Sequence, residues 1–415
     1  MSSPDVLVLG AGVIGAACAY ELAGAGASVA VLERGTGWGE GCSSGNAGLV
    51  VPSHARPIAA PESLRAGLGW MLRRDSPFGL RLRPSLTPWL IRYLRAATER
   101  RAAAGERLQR ELSREGLARL RELQGQGVDS GFEQPGLLSA HTSRHAEAHA
   151  AEEAGSETGR ALGAKVLTAA EAREIEPSLT AAVRAGVLFP QEGRLDPERL
   201  VASLGTAAEQ RGAELRRGIE AYRVVPQPNG VTVETSSGPL HAGHVVLAAG
   251  AWSEQLAASL PVRLPLQGGK GYMVEYEPAA APVRIPLYLH DQRVVANPLP
   301  DRTRFTGGLV LDGLDERFEP GRVESIRRAA DVVVGVSAPV RRAWRGLRPC
   351  TPDGLPVIGV HRRAARVVFA TGHGMLGVTL GPLTGTLVAD LVAGRAEHQA
   401  LPALSPERFD LRRSA

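Results

Sequence analysis

The chain has 415 residues, of which 44% are hydrophobic and 22% are charged, and a formal net charge of +5. This composition excludes a disordered or fibrous protein, and the length is sufficient for two globular domains. Aromatic residues make up only 4% of the chain, which argues against a stacking surface for single-stranded nucleic acid. We therefore expect no nucleic-acid partner.

The cysteines and the apolar segments predict the compartment. Cys18, Cys42 and Cys350 have neither disulfide-framework nor metal-ligand spacing, which is typical of a reducing compartment and predicts no metal site. The sequence shows no secretory signal, and its apolar runs stay below the ~18 residues of a membrane span. We expect a cytoplasmic protein. The arginines of residues 65–121 alternate with apolar residues, which predicts a solvated helical face and leaves open a peripheral contact with the inner face of the membrane.

A βαβ unit opens the chain. An apolar strand over 6–9 leads into the turn Gly10-Ala11-Gly12-Val13-Ile14-Gly15, a helix follows, and a second strand over 28–33 ends in an acid. Backbone N–H groups in such a turn can approach a pyrophosphate closely, and a carboxylate about 20 residues further on can bind ribose hydroxyls. The pattern predicts a dinucleotide site without separating NAD from FAD. Its expected residues are Gly10, Gly12, Val13, Ile14, Gly15 and Glu33.

The segment after Glu33 separates the two cofactors. Residues 34–60 are rich in Gly, Ser and Pro, and residues 39–48 are almost all small. An NAD enzyme would normally continue with another helix and strand, whereas small residues suit a backbone that runs along an extended cofactor. The alternative is a flexible surface loop. The segment favours FAD.

The later elements alternate between two kinds of segment. Periodicity and turn residues predict helices across 62–127, a strand over 137–140, a helix over 144–162, a helix from Asp196-Pro197 to Gln210, strands over 219–225, 231–235 and 244–248, an antiparallel sheet over 262–310 and a helix over 321–335. This alternation predicts two interleaved domains. We expect a cofactor domain from residues 1–55, 186–261 and 346–415, and a substrate domain from residues 56–185 and 262–345.

A second glycine turn lies near the end of the chain. Gly372-His373-Gly374-Met375-Leu376-Gly377 follows an apolar run over 367–370 and precedes an apolar helical segment. No carboxylate follows it at the end of another strand, so it has no ribose partner. A helix N-terminus at this turn can stabilise a developing negative charge.

Five motifs in a fixed order carry a family resemblance. They are Gly10–Gly15 with Glu33-Arg34, the Ser-Gly-Asn-Ala-Gly of 44–48, the Val-Val-Leu-Ala-Ala-Gly-Ala-Trp of 245–252, the segment 346–359 with its Gly-Leu-Arg-Pro and Thr-Pro-Asp-Gly, and the Ala-Thr-Gly-His-Gly of 370–374. Over nearly the whole chain this order resembles the D-amino-acid oxidase/dehydrogenase (DAO) superfamily of FAD enzymes, most closely its bacterial D-amino-acid dehydrogenase branch. The resemblance implies an α/β plus α+β fold: a discontinuous Rossmann-like FAD-binding domain of the GR2 type and an antiparallel-sheet substrate-binding domain.

The resemblance also implies how FAD is held. It places the second glycine turn against the flavin ring and adds these cofactor-binding residues: Arg34, Ser43, Ser44, Asn46, Ala47, Gly48, Ile219, Ala249, Gly250, Trp252, Gly372, His373, Gly374, Met375, Gly377, Val378 and Thr379. Related sarcosine-oxidising enzymes tether the flavin through a Cys or a His at positions that here hold Gly346 and Gly45. We therefore expect noncovalent FAD.

The reaction that the resemblance implies is oxidative deamination of a D-amino acid. A hydride passes from the Cα–H to flavin N5, and the resulting imine is hydrolysed to a keto acid. The alternative substrate is glycine, sarcosine or a (hydroxy)proline, and the electron acceptor can be a quinone, a redox protein or O₂. Because the flavin does the chemistry, no side chain is assigned a catalytic role. Two other classes remain: a regulatory nucleotide-binding module without turnover, and a membrane-surface scaffold acting through residues 62–127.

Four side chains are candidates for binding the substrate. Arg348 can bind a carboxylate bidentately, and the alternative is an arginine that bridges the two domains. Tyr272 can donate to the same carboxylate or can simply be a packed sheet tyrosine. His54 and His290 are the remaining candidates. The nearby Lys270 is expected to be exposed to solvent.

Overall fold

The computed structural model describes residues 3–62, 64, 77–81 and 83–410. Its strands are β1 (Val6–Leu9), β2 (Val29–Glu33), β3 (Leu49–Val50), β4 (Phe78–Leu80), β5 (Leu137–His141), β6 (Lys165–Thr168), β7 (Ala185–Phe189), β8 (Gly193–Arg194), β9 (Glu214–Arg217), β10 (Ala221–Gln227), β11 (Gly230–Thr235), β12 (Gly238–Ala242), β13 (His244–Leu247), β14 (Gln267–Tyr276), β15 (Leu287–Leu289), β16 (Val294–Leu299), β17 (Arg302–Leu311), β18 (Arg342–Cys350), β19 (Val357–His361) and β20 (Ala364–Thr371). Its helices are α1 (Val13–Gly24), α2 (Thr87–Ala96), α3 (Glu99–Gly125), α4 (Ala146–Gly155), α5 (Glu157–Ala161), α6 (Ala169–Ile175), α7 (Pro197–Gln210), α8 (Ser253–Ala257), α9 (Pro320–Val334), α10 (Gly377–Val392) and α11 (Leu401–Leu404).

A six-stranded sheet in the order β19-β20-β13-β1-β2-β9 carries both glycine turns. The five strands from β20 to β9 run parallel, and β19 pairs antiparallel at the edge. Strand β1 is fully buried because layers cover both faces, which is why it reads as an unbroken apolar run. The turns follow β1 and β20, so they meet at the carboxyl edge of the sheet, where ligands bind in such folds.

The helices that follow the two turns pack side by side. An added Cβ at Gly381 of α10 would lie 3.1 Å from the Val13 side chain, and one at Gly385 would lie 2.6 Å from the Ala17 carbonyl oxygen. The absence of side chains at these two positions lets α10 approach α1 closely. As a result, the N-termini of α1 and α10 lie next to each other.

A nine-stranded mixed sheet forms the second layer system. Its order is β18-β14-β17-β16-β15-β5-β7-β6, with β4 paired to β17. Neighbours pair antiparallel except β5 with β15 and β4 with β17. Helix α9 packs on one face over a core of aliphatic and aromatic side chains. The antiparallel sheet expected over 262–310 is the centre of this larger sheet.

Two of the expected domain boundaries fall inside strands of this sheet. Residue 186 lies in β7 and residue 346 lies in β18, and both strands pair within the nine-stranded sheet. Helix α3, from the block expected in the substrate domain, contributes Leu117 and Leu120 to the core around α1. We propose that the cofactor domain resumes after β7 and after β18 and includes α3. Composition alone does not show with which sheet a strand pairs.

Local signals placed several elements accurately. The Asp196 side chain accepts from the N–H groups of Glu198 (3.0 Å) and Arg199 (3.4 Å), so it caps α7 as the sequence predicts. The single helix expected over 144–162 is two helices, because Ser156 interrupts it and caps α5. Of the helices expected across 62–127, the structure shows α2 and α3, and the part over residues 65–76 lies outside the described residues.

Candidate cofactor and substrate site

A cavity of about 470 Å³ lies at the carboxyl edge of the six-stranded sheet. Both glycine turns contribute to its wall. Sixteen of the residues expected to bind the cofactor line it: Gly10, Gly12, Val13, Ile14, Glu33, Arg34, Ser43, Asn46, Ile219, Ala249, Gly250, Trp252, His373, Gly374, Gly377 and Val378. The cavity is elongated and extends from the end of β2 past the end of β1 to the start of α10. This shape suits one extended dinucleotide rather than two separate nucleotides.

The first glycine turn leaves room for a ligand and no room for side chains. Gly10 has φ +102°, and a Cβ there would lie 2.7 Å from the Ala248 carbonyl oxygen. A Cβ at Gly15 would overlap the carbonyl oxygen of Gly10. Helix α1 begins at Val13 without an acidic residue in its first turn. The N–H of Val13 donates to the Ser43 hydroxyl at 3.0 Å, so an anion such as a pyrophosphate would use the N–H groups that follow it and the positive end of the helix dipole.

Glu33 ties the end of β2 to this turn. One carboxylate oxygen accepts from the N–H of Ala11 and the other from the N–H of Gly35, both at 2.8 Å. Each oxygen keeps a second lone pair, and Glu33 lines the cavity. Beside it, the Arg34 guanidinium stacks 3.9 Å from the centre of the Trp252 ring. This end of the cavity thus has acceptors for hydroxyl groups and a flat cationic–aromatic wall.

The second glycine turn borders a smaller cavity. Helix α10 begins at Gly377 with no acidic residue in its first turn. His373 is buried, and its Nε2 lies 2.9 Å from the Thr384 hydroxyl. Burial lowers the pKa of His373 to about 3, so its ring is neutral and holds the turn in place. His373 and Gly374 line both cavities, which makes the turn the wall between them.

The smaller cavity, of about 30 Å³, brings Arg348 and His54 together. The Arg348 guanidinium donates to the Gly308 carbonyl oxygen at 2.6 Å, and it forms no ion pair with a carboxylate of the described residues. Burial lowers the pKa of Arg348, yet a guanidinium stays protonated. Gly271 leaves it room, since a Cβ there would lie 2.5 Å from the guanidinium. A buried cation without a carboxylate partner is a strong site for an anionic ligand.

Two expected neighbours of this site lie elsewhere. Tyr272 lines neither cavity: it is 1% exposed and packs in the core under α9, with the Phe318 ring 6.0 Å away. Successive residues of a strand face opposite sides, so Tyr272 points away from the face where Gly271 meets Arg348. It is a packed sheet tyrosine. Lys270 is not exposed as expected, because its ammonium group is fully buried and pairs with Asp315 at 2.8 Å.

His290 does not line the smaller cavity but lies close to His54, which does. The Tyr288 ring lies between it and His54, with ring centres 5.6 and 4.6 Å apart. His290 stacks on His141 at 4.3 Å with an interplanar angle of 26°, and both rings contact Glu153. These three residues are of metal-ligand type, and their ligand atoms lie within 4.8 Å of one another. In the structure His141 Nε2 lies 2.8 Å and His290 Nδ1 lies 3.6 Å from the same carboxylate oxygen of Glu153. We interpret the group as a hydrogen-bonded cluster.

The remaining expected cofactor residues position the walls or line the smaller cavity. Gly372 and Met375 line the smaller cavity, Gly15 packs α1 onto β1, and Thr379 donates to the Leu49 carbonyl at 3.2 Å. Ser44, Ala47 and Gly48 belong to the loop before β3. Within this loop the Asn46 side chain accepts from the N–H of Gly48 at 2.8 Å, and the backbone carbonyl oxygens of the loop accept from side chains of the nine-stranded sheet.

The residues that hold this loop were missed by the sequence reasoning. The Arg304 side chain is fully buried, pairs with Glu275 at 2.7 Å, and donates to the carbonyl oxygens of Ser44 (2.8 Å) and Asn46 (2.9 Å). Asn297 donates to the Ala47 carbonyl at 2.8 Å. The only sequence signal was two arginines at alternate positions of a strand, Arg302 and Arg304, which indicates charges on one buried face. These contacts join the nine-stranded sheet to the loop before β3.

The comparisons with known proteins agree with this geometry. A family model described as "FAD dependent oxidoreductase" (DAO) matches residues 5–391. The chain belongs to this family. Among its relatives, a D-amino acid dehydrogenase of Paramagnetospirillum magneticum is 32% identical over 97% of this chain and 98% of its own. A D-amino-acid oxidase of Bradyrhizobium diazoefficiens is also 32% identical over 97% of this chain and 98% of its own.

Solved structures of the DAO family share the fold. Glycine oxidase from Geobacillus kaustophilus is 27% identical with a TM-score of 0.76, covering 99% of this chain and 100% of its own. An L-proline dehydrogenase from P. horikoshii, at 19% identity, has the same fold with a TM-score of 0.73, covering 98% of each chain. The protein is thus an FAD-dependent oxidoreductase with a Rossmann-like cofactor domain and a separate substrate sheet, as the motifs predicted. Among the described residues, no helix has the length and apolar character needed to cross a bilayer.

We expect Glu33→Gln to weaken FAD binding about 10- to 100-fold, because a hydrogen bond to a charged group contributes roughly 1.5–3 kcal/mol. Glutamine keeps the shape and one acceptor but loses the charge. The measurement is the dissociation constant of FAD, from recovery of flavin fluorescence on dilution. Glu214→Gln on the adjacent strand β9 is the matched control. An unchanged FAD affinity in Glu33→Gln would contradict the ribose assignment.

Proposed function

We propose that the protein oxidises a D-amino acid to an imine, which water hydrolyses to a keto acid and ammonia. The observation that carries this proposal is Arg348, a buried guanidinium without a carboxylate partner among the described residues, in a cavity that borders the second glycine turn. It supplies two parallel N–H donors for a carboxylate. Relatives named D-amino acid dehydrogenase and D-amino-acid oxidase support the same substrate class.

FAD, when bound, supplies the chemistry by accepting the hydride of the substrate Cα–H. The chain supplies binding and orientation. We propose that the N-terminus of α1 binds the pyrophosphate and that Glu33 binds the ribose. The N-terminus of α10 would lie against the edge of the flavin on which negative charge develops, where a helix dipole is stabilising. The residues present therefore fit this cofactor.

The attachment of FAD is proposed to be noncovalent. A Cβ at Gly45 or at Gly346 would overlap the indole ring of Trp344. Side chains capable of a covalent bond would have to displace Trp344 from these positions. Denaturation followed by filtration tests this point, because noncovalent FAD passes into the filtrate.

A second candidate is a small amine or imino acid such as glycine, sarcosine or (hydroxy)proline. The small volume of the Arg348 cavity favours substrates with little or no side chain. The 27% identical glycine oxidase supports this alternative. Cavity size and relatives together define a short series of substrates to compare.

The test is an anaerobic screen of D- and L-amino acids, glycine, sarcosine and proline derivatives, followed by absorbance of the flavin. We expect a D-amino acid, preferably a small one, to bleach the flavin. Bleaching by glycine or an imino acid alone would select the second candidate. A flavin that no compound reduces would favour a binding module without turnover. Reoxidation by O₂ compared with a soluble quinone then identifies the electron acceptor.

A further inference from the structure

Glu192 is a buried carboxyl group that has no role in the sites described above. It follows β7, and its side chain is fully buried. Its Oε1 accepts from the backbone N–H of Ser53 at 2.9 Å. Its Oε2 is buried without a hydrogen-bond partner among the described residues. Burying a carboxyl oxygen without a partner costs free energy, so such a group needs an explanation.

Ser53 connects this carboxyl group to the substrate cavity. The Ser53 hydroxyl lies 3.0 Å from Nδ1 of His54, while the Ser53 backbone N–H donates to Glu192. The N–H and the hydroxyl of Ser53 both act to lower the pKa of the Glu192 carboxyl. His54 lines the smaller cavity together with Arg348. Because Nδ1 faces Ser53, Nε2 is the His54 nitrogen available to a ligand in that cavity.

The proposed reaction requires a proton acceptor in this cavity. An amino acid whose carboxylate binds Arg348 brings its ammonium group into the same small space. The ammonium must lose a proton before oxidation, because the nitrogen lone pair forms the C=N bond as the Cα–H leaves as a hydride. We propose that Glu192 receives this proton through His54 and Ser53. The inference rests on the proposed function and adds the group that controls its pH dependence.

The relay moves one proton and needs no oxidant. An ammonium N–H bond breaks and its proton passes to Nε2 of His54. The proton on Nδ1 passes to the Ser53 oxygen, and the Ser53 hydroxyl proton passes to Glu192. The products are a neutral amine, a neutral imidazole and a protonated carboxyl. Of the three residues, only His54 touches the substrate. Ser53 and Glu192 act through His54 and are therefore positioning residues.

Electrostatics support the direction of this transfer. Burial raises the pKa of Glu192 to about 8, and the two Ser53 contacts partly oppose the rise. Burial lowers the pKa of His54 to about 4, with Glu153 opposing and Arg293 adding to the effect. His54 alone is thus a weak base that holds the proton only in transit, whereas Glu192 retains it. The titratable or charged groups around His54 are Tyr288, Arg293, Glu153, Arg56, Arg348 and His373.

The test is the pH profile of kcat/KM for flavin reduction by the best substrate of the screen, between about pH 6 and 10. The wild type should show a rise centred near the Glu192 pKa of about 8. Glu192→Gln and Ser53→Ala should each be about 10²-fold slower at about pH 8. The difference should shrink toward about pH 10, because the free amine then forms in solution.

Matched variants separate the relay from simple structural support. In Glu192→Gln the side-chain oxygen can still accept from the Ser53 N–H, so this contact is kept while the carboxyl is lost. Ser53→Thr keeps a hydroxyl group at this position and should therefore show the wild-type profile. Glu254→Gln is the control, since burial raises the pKa of Glu254 to about 7 as well, but Glu254 lines neither cavity. It should leave the profile unchanged.

A second measurement does not depend on activity. A carboxyl whose folded-state pKa lies above its unfolded value contributes stability below the unfolded pKa and loses it as the pH rises through the folded pKa. Glu192, with a pKa raised from 4.5 to about 8, should therefore make the wild-type Tm fall more steeply across this range than the Tm of Glu192→Gln.

The outcomes distinguish the relay from the proposed function. If the flavin is reduced and both variants keep the wild-type pH profile, the relay is wrong while the function stands. If only the Tm profile of Glu192→Gln changes, Glu192 is a structural group and the relay is also wrong. If no amino or imino acid reduces the wild-type flavin, the function fails and the relay fails with it. Should Glu192→Gln not fold, Ser53→Ala decides alone.

Discussion

Arg348→Ala should lower kcat/KM for the amino-acid substrate about 100- to 1,000-fold while the bound FAD is retained. Truncating one partner of a buried, hydrogen-bonded charge pair costs roughly 2–5 kcal/mol. The guanidinium has only the Gly308 carbonyl as a hydrogen-bond partner that the structure describes, so we expect the substrate carboxylate to pair with its charge. Most of the loss should appear as an increase in KM, because the carboxylate is bound in the ground state as well as in the transition state.

Two further variants sharpen this prediction. Arg348→Lys keeps the charge but loses the planar fork, so it should recover only part of the activity. Arg345→Ala on the same strand is the matched control, because Arg345 pairs with Glu316 at 2.8 Å and lines neither cavity. Steady-state kinetics measure kcat/KM, and flavin absorbance measures the amount of bound FAD. Wild-type kinetics in Arg348→Ala would remove Arg348 from the site and favour its reading as an arginine that joins the two domains.

Gly10→Ala should abolish FAD binding or folding. Gly10 combines φ +102° with a Cβ position 2.7 Å from the Ala248 carbonyl oxygen. An unfavourable φ costs of order 1–3 kcal/mol, and the overlap adds strain that only a shift of β1 against β13 can relieve. Such a shift would move the N–H groups that we propose to bind the pyrophosphate. Flavin content after purification and the thermal unfolding midpoint are the two measurements.

Gly26→Ala is the control for Gly10→Ala. Gly26 also has a positive φ, +87°, but no atom lies within 4 Å of an added Cβ. It should therefore show only the conformational cost, of about 1 kcal/mol, with full flavin content. If the two variants behaved alike, the space around the first glycine turn would not matter for cofactor binding.

Local sequence patterns were sufficient for the first glycine turn. Its residue types are required by backbone geometry within one βαβ unit, and the acid at the end of β2 is reached at a fixed distance along the chain. The same holds for the Asp196 cap of α7. In each case the interacting groups lie in consecutive elements, so spacing along the sequence determines their spacing in the molecule.

The candidate substrate-binding residues depend on strand pairing, which local sequence patterns do not reveal. The sequence favoured Arg348 for the substrate carboxylate and offered Tyr272 as a further donor. Arg348 faces the cavity and Tyr272 faces the core, because the pleat of β14 places Gly271 and Tyr272 on opposite faces. Nothing in the order of residues distinguished the two faces of that strand. Its partners, β17 and β18, come from distant parts of the chain.

The sequence by itself determined the family and the cofactor, because the motifs that carry the resemblance are local and occur in a fixed order. It also determined the position of the first glycine turn between β1 and α1, which depends on short-range backbone geometry. The tertiary structure alone decided that Arg304 holds the loop before β3, that Lys270 is buried, and that Ser53 lies between Glu192 and His54. These are contacts between side chains far apart in the chain, created by strand pairing and close helix packing. Burial and charge pairing are properties of that assembled environment, so the identity of the residue does not reveal them.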